Sequence, residues 1–341
     1  MKKIFSIIIL FLFGFCAFAQ DPQFSQYYQA PLYLNPGFAG ITPQQRLVIN
    51  HRIQWPSLPQ AFSTYAASYD IFVNELRSGF GILFTTDKMG SAGWRTTTAS
   101  LQYSYKVKLT SKLIFSPGIS FGYGSNGLDR TKLSMGDGLE YNGTTLDPAI
   151  SKLGNQNYLD FGSGFLLYTK KLWLGASFMH MNQPNLSVLG DVGRLPMKTS
   201  IHGGIRLNMS GYRATNRASY LTPSFIYQMQ GPTFSQLDLG INYHIDPISI
   251  GFSYRGKPFQ KSSINTIQQD AFIIFLGLYF KNLSVGYSYD FTISKLQTAA
   301  GGAHEISLIY EFSSKSSDKK SKKKYKLIPC PSFNSKEGFW N

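Results

Sequence analysis

Cysteine is almost missing from this chain, with only Cys16 and Cys330 among 341 residues. Cys16 falls in an N-terminal leader, which leaves one cysteine and excludes a disulfide framework. Charge is also scarce, at 15% of residues, and acids are fewer than bases, 18 against 33. Beyond the leader no stretch approaches the ~20 apolar residues of a membrane helix. The five histidines, His51, His180, His202, His244 and His304, contain no pair at metal-ligand spacing, and no G-x-S-x-G elbow occurs. Asp87 with Asp137 or Asp191 lacks the EF-hand pattern. The glycine-rich runs 79–81 and 118–124 fall inside strand patterns, which argues against a phosphate cradle. The expectation is no enzyme, no cofactor and no metal.

What is present is aromatic and small: Phe 27, Tyr 21 and Gly 32. The leader reads as a signal peptide, residues 1–19. Lys2 and Lys3 supply charge, Ile4 to Phe15 an apolar run, and Ala17-Phe18-Ala19 a cleavage site before Gln20. Phe15 is too bulky to precede a lipid-attachment cysteine at Cys16. An exported chain without membrane helices or disulfides leaves one way to reside in lipid, a closed barrel. The formal charge of +15 is unevenly placed: residues 313–326 supply +6 and Lys2 with Lys3 a further +2, leaving +7. A basic tail of this kind is a solvated or partner-binding segment, not a nucleic-acid reader.

Period-2 alternation recurs along the chain. Leu237, Leu239, Ile241 and Tyr243 oppose Asp238, Gly240 and Asn242. Leu283, Val285, Tyr287, Tyr289 and Phe291 oppose Ser284, Gly286, Ser288 and Asp290. Ile306, Leu308, Tyr310 and Phe312 oppose Glu305, Ser307, Ile309 and Glu311. One apolar and one polar or small face fit a lipid-facing exterior and a polar lumen. Strands are expected at 45–54, 60–71, 77–86, 94–108, 111–125, 156–169, 172–180, 197–210, 217–229, 234–244, 248–255, 269–280, 283–292 and 304–312. Fourteen is an even number, as single-chain bacterial barrels require. The connections sort by length. Those after even strands, such as 109–110, 170–171 and 281–282, are brief, with 211–216 somewhat longer, whereas 87–93, 126–155, 181–196, 256–268 and 293–303 are mostly long; 55–59 and 230–233 are exceptions. A soluble sandwich has no reason to sort its connections this way. The fold expected is therefore all-β, a transmembrane antiparallel β-barrel over 45–312. Residues 20–44 are a plug-like or mouth-covering segment, and 313–341 a basic linker with a periplasmic docking tail.

The segments Gln20-Asp21-Pro22-Gln23-Phe24-Ser25-Gln26-Tyr27 and Leu34-Asn35-Pro36-Gly37-Phe38-Ala39-Gly40 resemble the N-terminal signature of the PorP/SprF family of type IX secretion outer-membrane proteins. Arg52-Ile53-Gln54-Trp55-Pro56 is similar to that family's first-strand motif. Asp87 with Gly90, Asp160-Phe161-Gly162, the run from His180 to Pro184, and Gly286-Tyr287-Ser288-Tyr289-Asp290 with Gly302-Ala303-His304-Glu305-Ile306 extend the resemblance to the last strand. Ala303 departs from the expected Ser. The resemblance implies an outer-membrane location and a secretion role. That role is either in the core apparatus or as partner of a large secreted adhesin used in gliding. The tail, with Ile328, Pro329, Cys330, Pro331 and Phe333, looks more like the adhesin-partner branch. The implied partners are the adhesin C-terminal domain at the outer loops, periplasmic lipoproteins at the tail, and outer-membrane lipid, with no nucleic acid.

Three further expectations concern single residues. The Asn50, Arg52 and Gln54 face points into the lumen and meets the N-terminal segment or a carboxylate such as Asp290 or Glu305. Trp55 belongs to the same motif. His304 beside Glu305 makes a structural hydrogen bond at the outer rim. The alternative function is a FadL-like transport channel for hydrophobic small molecules with 20–44 as hatch, which requires an apolar lumen pocket.

Overall fold

The computed structural model describes residues 21–58, 61–90, 93–128, 154–188, 190–209, 219–232, 234–261, 267–293 and 301–312. The strands are β1 (Arg46–Gln54), β2 (Phe62–Val73), β3 (Ser78–Met89), β4 (Trp94–Tyr105), β5 (Val107–Lys108), β6 (Ile114–Gly127), β7 (Gln156–Tyr168) and β8 (Leu172–Met179). They continue with β9 (Lys198–Ile205), β10 (Leu207–Asn208), β11 (Ser219–Gln230), β12 (Phe234–Ile245), β13 (Ile248–Lys261), β14 (Ile267–Phe280), β15 (Leu283–Thr292) and β16 (Ala303–Glu311). β5 and β10 prolong β4 and β9 after one-residue breaks at Lys106 and Arg206, whose side chains are buried. The sixteen segments thus form fourteen antiparallel staves, each paired with its neighbours, closed by β1 on β16 and by β9 on β11. Closure removes every sheet edge, which lipid requires.

Alternation decides the two faces. Along β3 Phe80, Ile82 and Phe84 point outward and are exposed. Along β6 Ile119, Phe121 and Tyr123 do the same, while Ser116 and Ser120 point inward. Contrary to the expectation, the lumen is not polar throughout, because Leu83, Ile114, Leu166, Trp173, Ile226, Ile273 and Phe275 of six different strands turn inward.

Two connections differ from the expectation. β3 runs on to Met89, so the connection to β4 begins only at Gly90, and Asp87 is a buried strand residue, not an outer-loop one. β13 extends to Lys261, six residues past its expected end. In both, the strand pairs with its neighbour beyond the point where hydrophobic alternation stops, because backbone ladders do not need apolar side chains. The short connections still gather at one end, including 74–77, 169–171, 246–247 and 281–282. The long ones, 128–155 and 180–197, lie at the other.

The hydrophobic core lies inside the barrel, where residues 21–44 run through the lumen. Phe24, Tyr27, Leu32, Leu34, Phe38 and Ile41 pack on Leu83, Ile114, Leu166 and Trp173 of the wall. Each large side chain so buried contributes about 1.5–3 kcal/mol. No helix among the described residues is long and apolar enough to cross a membrane, which says nothing of strands.

Candidate functional site

The contact between the N-terminal segment and the lumen wall is densely bonded, and local sequence shapes it. Pro31 opens a one-turn helix, Pro31–Leu34. Asn35 then caps a 3-10 turn, Pro36–Phe38, its Oδ1 accepting from Gly37 N at 2.8 Å. The same amide reaches outward. Its Nδ2 donates to Phe165 O and Ala176 O, both at 3.0 Å, which are register partners on β7 and β8. Gly40 ends the segment at φ +57, and its N donates to Asp70 Oδ2 at 2.9 Å. Asp70 in turn pairs with Arg46 at 2.9 Å.

The wall is cut to receive this backbone. A Cβ on Gly79 would collide with Ala39 O, and one on Gly118 with Gly37 N and Pro36 C. Lys106 Nζ lies 2.8 Å from Ala39 O and 3.2 Å from Gly37 O, so a buried ammonium is satisfied by plug carbonyls.

The upper anchor is ionic. Register places Arg52 of β1 opposite Glu305 of β16. Arg52 Nη2 donates to Asp290 Oδ2 at 2.8 Å, and Nη1 contacts Glu305 Oε2 at 3.4 Å and Ser25 Oγ. Glu305 accepts from the backbone N of Ser25 at 2.7 Å and of Gln26 at 3.0 Å. Ser25 Oγ donates to Asp290 at 2.6 Å. Gln26 binds Ser288, Ser307 and Glu305 O. Arg255 of β13 completes the cluster, donating to Asp238 at 3.0 Å, Asp290 at 3.1 Å and Ser25 Oγ at 3.0 Å. None of these five charged residues is more than 5% exposed. Buried charges of this kind persist only when each has a partner.

A third anchor holds the first described residue at the end of the barrel with long connections. Asp21 Oδ2 lies 2.7 Å from His180 Nε2, and His180 Nδ1 lies 2.9 Å from Asp160 Oδ1. Lys198 Nζ is 3.6 Å from Asp21 and sits over the Tyr33 ring. Asp21 N donates to Gln230 Oε1 at 3.0 Å. Burial opposes the charged ring, but Asp21 and then Asp160 outweigh it and lift His180 to about 10. Burial likewise opposes the Asp21 carboxylate, yet His180 and Lys198 hold it well below the usual range. Above this clamp opens a vestibule of about 670 Å³, lined in part by Leu83, Met89, Trp94, Tyr158, Met179 and Arg194.

The residues singled out from sequence distribute as follows. Asp21, Phe24, Gln26, Tyr27, Asn35, Pro36, Gly40, Arg52, Asp290 and Glu305 meet at the plug–wall contact. Tyr27 Oη pairs with Ser224 Oγ at 2.8 Å, and Phe24 packs edge-to-face on Tyr33. Gln23 is half-buried between anchors. Asn50 Nδ2 reaches Gln29 O at 3.4 Å, whereas Gln54 stands half-buried above the segment. Trp55, at φ 58, turns the chain at the outer end of β1 and packs on Phe62. His304 faces away from the lumen, bonded to Tyr287 Oη at 2.8 Å. Ile328, Pro329, Cys330, Pro331 and Phe333 lie outside the described residues. Arg255, Asp238, Lys106, Lys198 and the His180–Asp160 pair were not foreseen as site residues. Their signal was a charge at lumen parity in an otherwise Ser/Gly face. Among the described residues no group of three His, Cys, Asp or Glu is placed to hold a metal.

The sequence matches the family described as type IX secretion system membrane protein PorP/SprF over residues 17–310, so the chain belongs to that family. No curated protein matches it. The structure is similar to the P. putida toluene transporter TodX, with 10% identity, 82% of this chain and 94% of that chain covered, and a TM-score of 0.46. It is also similar to the Acinetobacter baumannii outer membrane protein Omp33, with 10% identity, 80% and 100% covered, and a TM-score of 0.42.

Proposed function

We propose that this PorP/SprF family barrel is a non-enzymatic anchor of the type IX secretion system in the outer membrane. It supports export and surface attachment of a large secreted adhesin of the gliding type. The outer connections, 128–155 and 180–197, hold the adhesin's C-terminal domain. Residues 313–341 couple the barrel to periplasmic lipoproteins. The observation that supports an anchor over a conduit is the occupied lumen. Gln26, Gln29, Leu32, Asn35 and Ala39 of the plug are each 2% exposed or less, held by wall residues on all sides. A polypeptide would have to displace all three anchors to pass. The channel alternative would use the vestibule's Leu83, Met89, Trp94 and Met179, but the N-terminal segment and its charged anchor lie beneath.

The test is a pull-down of the tagged protein from native outer membrane with mass spectrometry of its companions. A large secreted adhesin as main companion is the expected result. Recovery of periplasmic ring components alone would replace this reading with a core-apparatus role. Deleting 313–341 is expected to leave the barrel folded and to abolish adhesin display; display that survives would refute the coupling.

A further inference from the structure

We infer that one sector of the short-connection rim, formed by three consecutive hairpins, is a binding site for anionic phospholipid headgroups of the inner leaflet. The inference rests on the outer-membrane reading, with short connections facing inward. The hairpins are β2–β3, β4–β6 and β7–β8, adjacent because β3 pairs with β4 and β6 with β7. They expose Arg77, Lys108, Lys112, Lys170 and Lys171 against one acid, Glu75. The opposite sector differs, since its described turns carry Asp246 and Glu311 against Lys281. Among the described turns, the basic charge therefore gathers in one sector.

The apolar residues of the sector decide what it faces. Leu76, Leu109 and Leu172 are 57%, 54% and 51% exposed, and each lies beside one of these basic residues. Leu172 begins the outward row that continues in Leu174. Leu172 thus points sideways into the bilayer, and Leu76 and Leu109 stand exposed in the turns of the same sector. Depth agrees. Lys108 lies three residues past the last outward aromatic of β4, Tyr105, and Lys112 three before the first of β6, Phe115. At ~3.3 Å rise and ~45° tilt, three residues descend about 7 Å. The headgroup layer is about 5–8 Å thick on each side. Long cationic side chains at that depth, with leucines at the acyl boundary, match phosphodiester headgroups. An acidic protein surface would meet the lysines but leave Leu172 and the outward row behind it uncovered.

The test reconstitutes the full chain in vesicles of equal phosphatidylglycerol and phosphatidylcholine, extracts it gently, and counts retained lipids by mass spectrometry. Wild type is expected to retain phosphatidylglycerol preferentially. Each lysine removed should cut that enrichment by up to about fivefold. The variant Lys108→Gln/Lys112→Gln/Lys170→Gln/Lys171→Gln should lose it, and Lys281→Gln should keep it. Should the quadruple variant not fold, Lys170→Gln/Lys171→Gln in one exposed turn carries the same test with a smaller drop. No enrichment in wild type, or full enrichment in a folded variant, overturns the site. Unchanged lipid with loss of a co-purifying acidic periplasmic protein overturns it in favour of a protein surface. A chain that never enters vesicles sinks the membrane reading itself.

Discussion

Replacing Arg52 by methionine tests the ionic anchor directly. The change keeps most of the side-chain length and removes one positive charge. Asp290, 3% exposed, then keeps only Arg255 as cationic partner, and Glu305, 0% exposed, loses its charged partner. Breaking a buried pair by deleting one partner costs about 3–5 kcal/mol, because the remaining charge stays desolvated. Much of that cost is relieved if residues 22–30 leave the wall and water enters. At ~1.4 kcal/mol per tenfold, the unseated population should rise on the order of 10²- to 10³-fold or more. Hydrogen exchange of the 22–34 peptide should speed up accordingly, and single-barrel conductance in a planar bilayer should show openings that are rare in wild type. The triple variant Arg52→Met/Glu305→Gln/Asp290→Asn should recover part of the loss, since it leaves fewer unpaired charges. Unchanged exchange and conductance in a folded Arg52→Met barrel, folding being read from its heat-dependent gel shift, would refute the claim that this cluster seats the plug.

Other outcomes follow from the same contacts. Gly79→Val should block seating of Ala39 and Gly40 while leaving the strand ladder intact, giving a folded barrel with protease-sensitive residues 30–42. Asn35→Ala removes the donor to Phe165 O and Ala176 O and the cap on Gly37, and should lower the thermal midpoint by an amount corresponding to about 1–3 kcal/mol. The Asp21–His180 clamp should be pH-dependent. Its His180 part, with the pKa raised to about 10, is fully present below about 6.5 and fades as pH rises through about 10. The Asp21 part, with its pKa depressed, is present above 3.8 and fades as pH falls below that. Accessibility of a cysteine placed at Gln23 should thus be lowest between pH 4 and 7; a flat profile would remove the clamp.

The strands, their number and their two faces could be read from the chain itself, because period-2 alternation is a local property that neighbouring residues report without a partner. That is why Tyr287 and Ser288 could be assigned to opposite sides, and why Arg52 could be placed in the lumen. Where alternation stops, the reading stopped too soon: Asp87 and residues 256–261 are strand because a paired backbone holds them. Register belongs to the closed barrel alone. It sets Arg52 across from Glu305 and brings Arg255, itself bonded to Asp238, onto Ser25. The path of residues 21–44, with Asp21 at His180 near the long connections and Gly40 at Asp70 near the short ones, is likewise a tertiary fact. A segment without alternation carries no sign of which wall it will meet, since that depends on where glycine backbones on distant strands leave room.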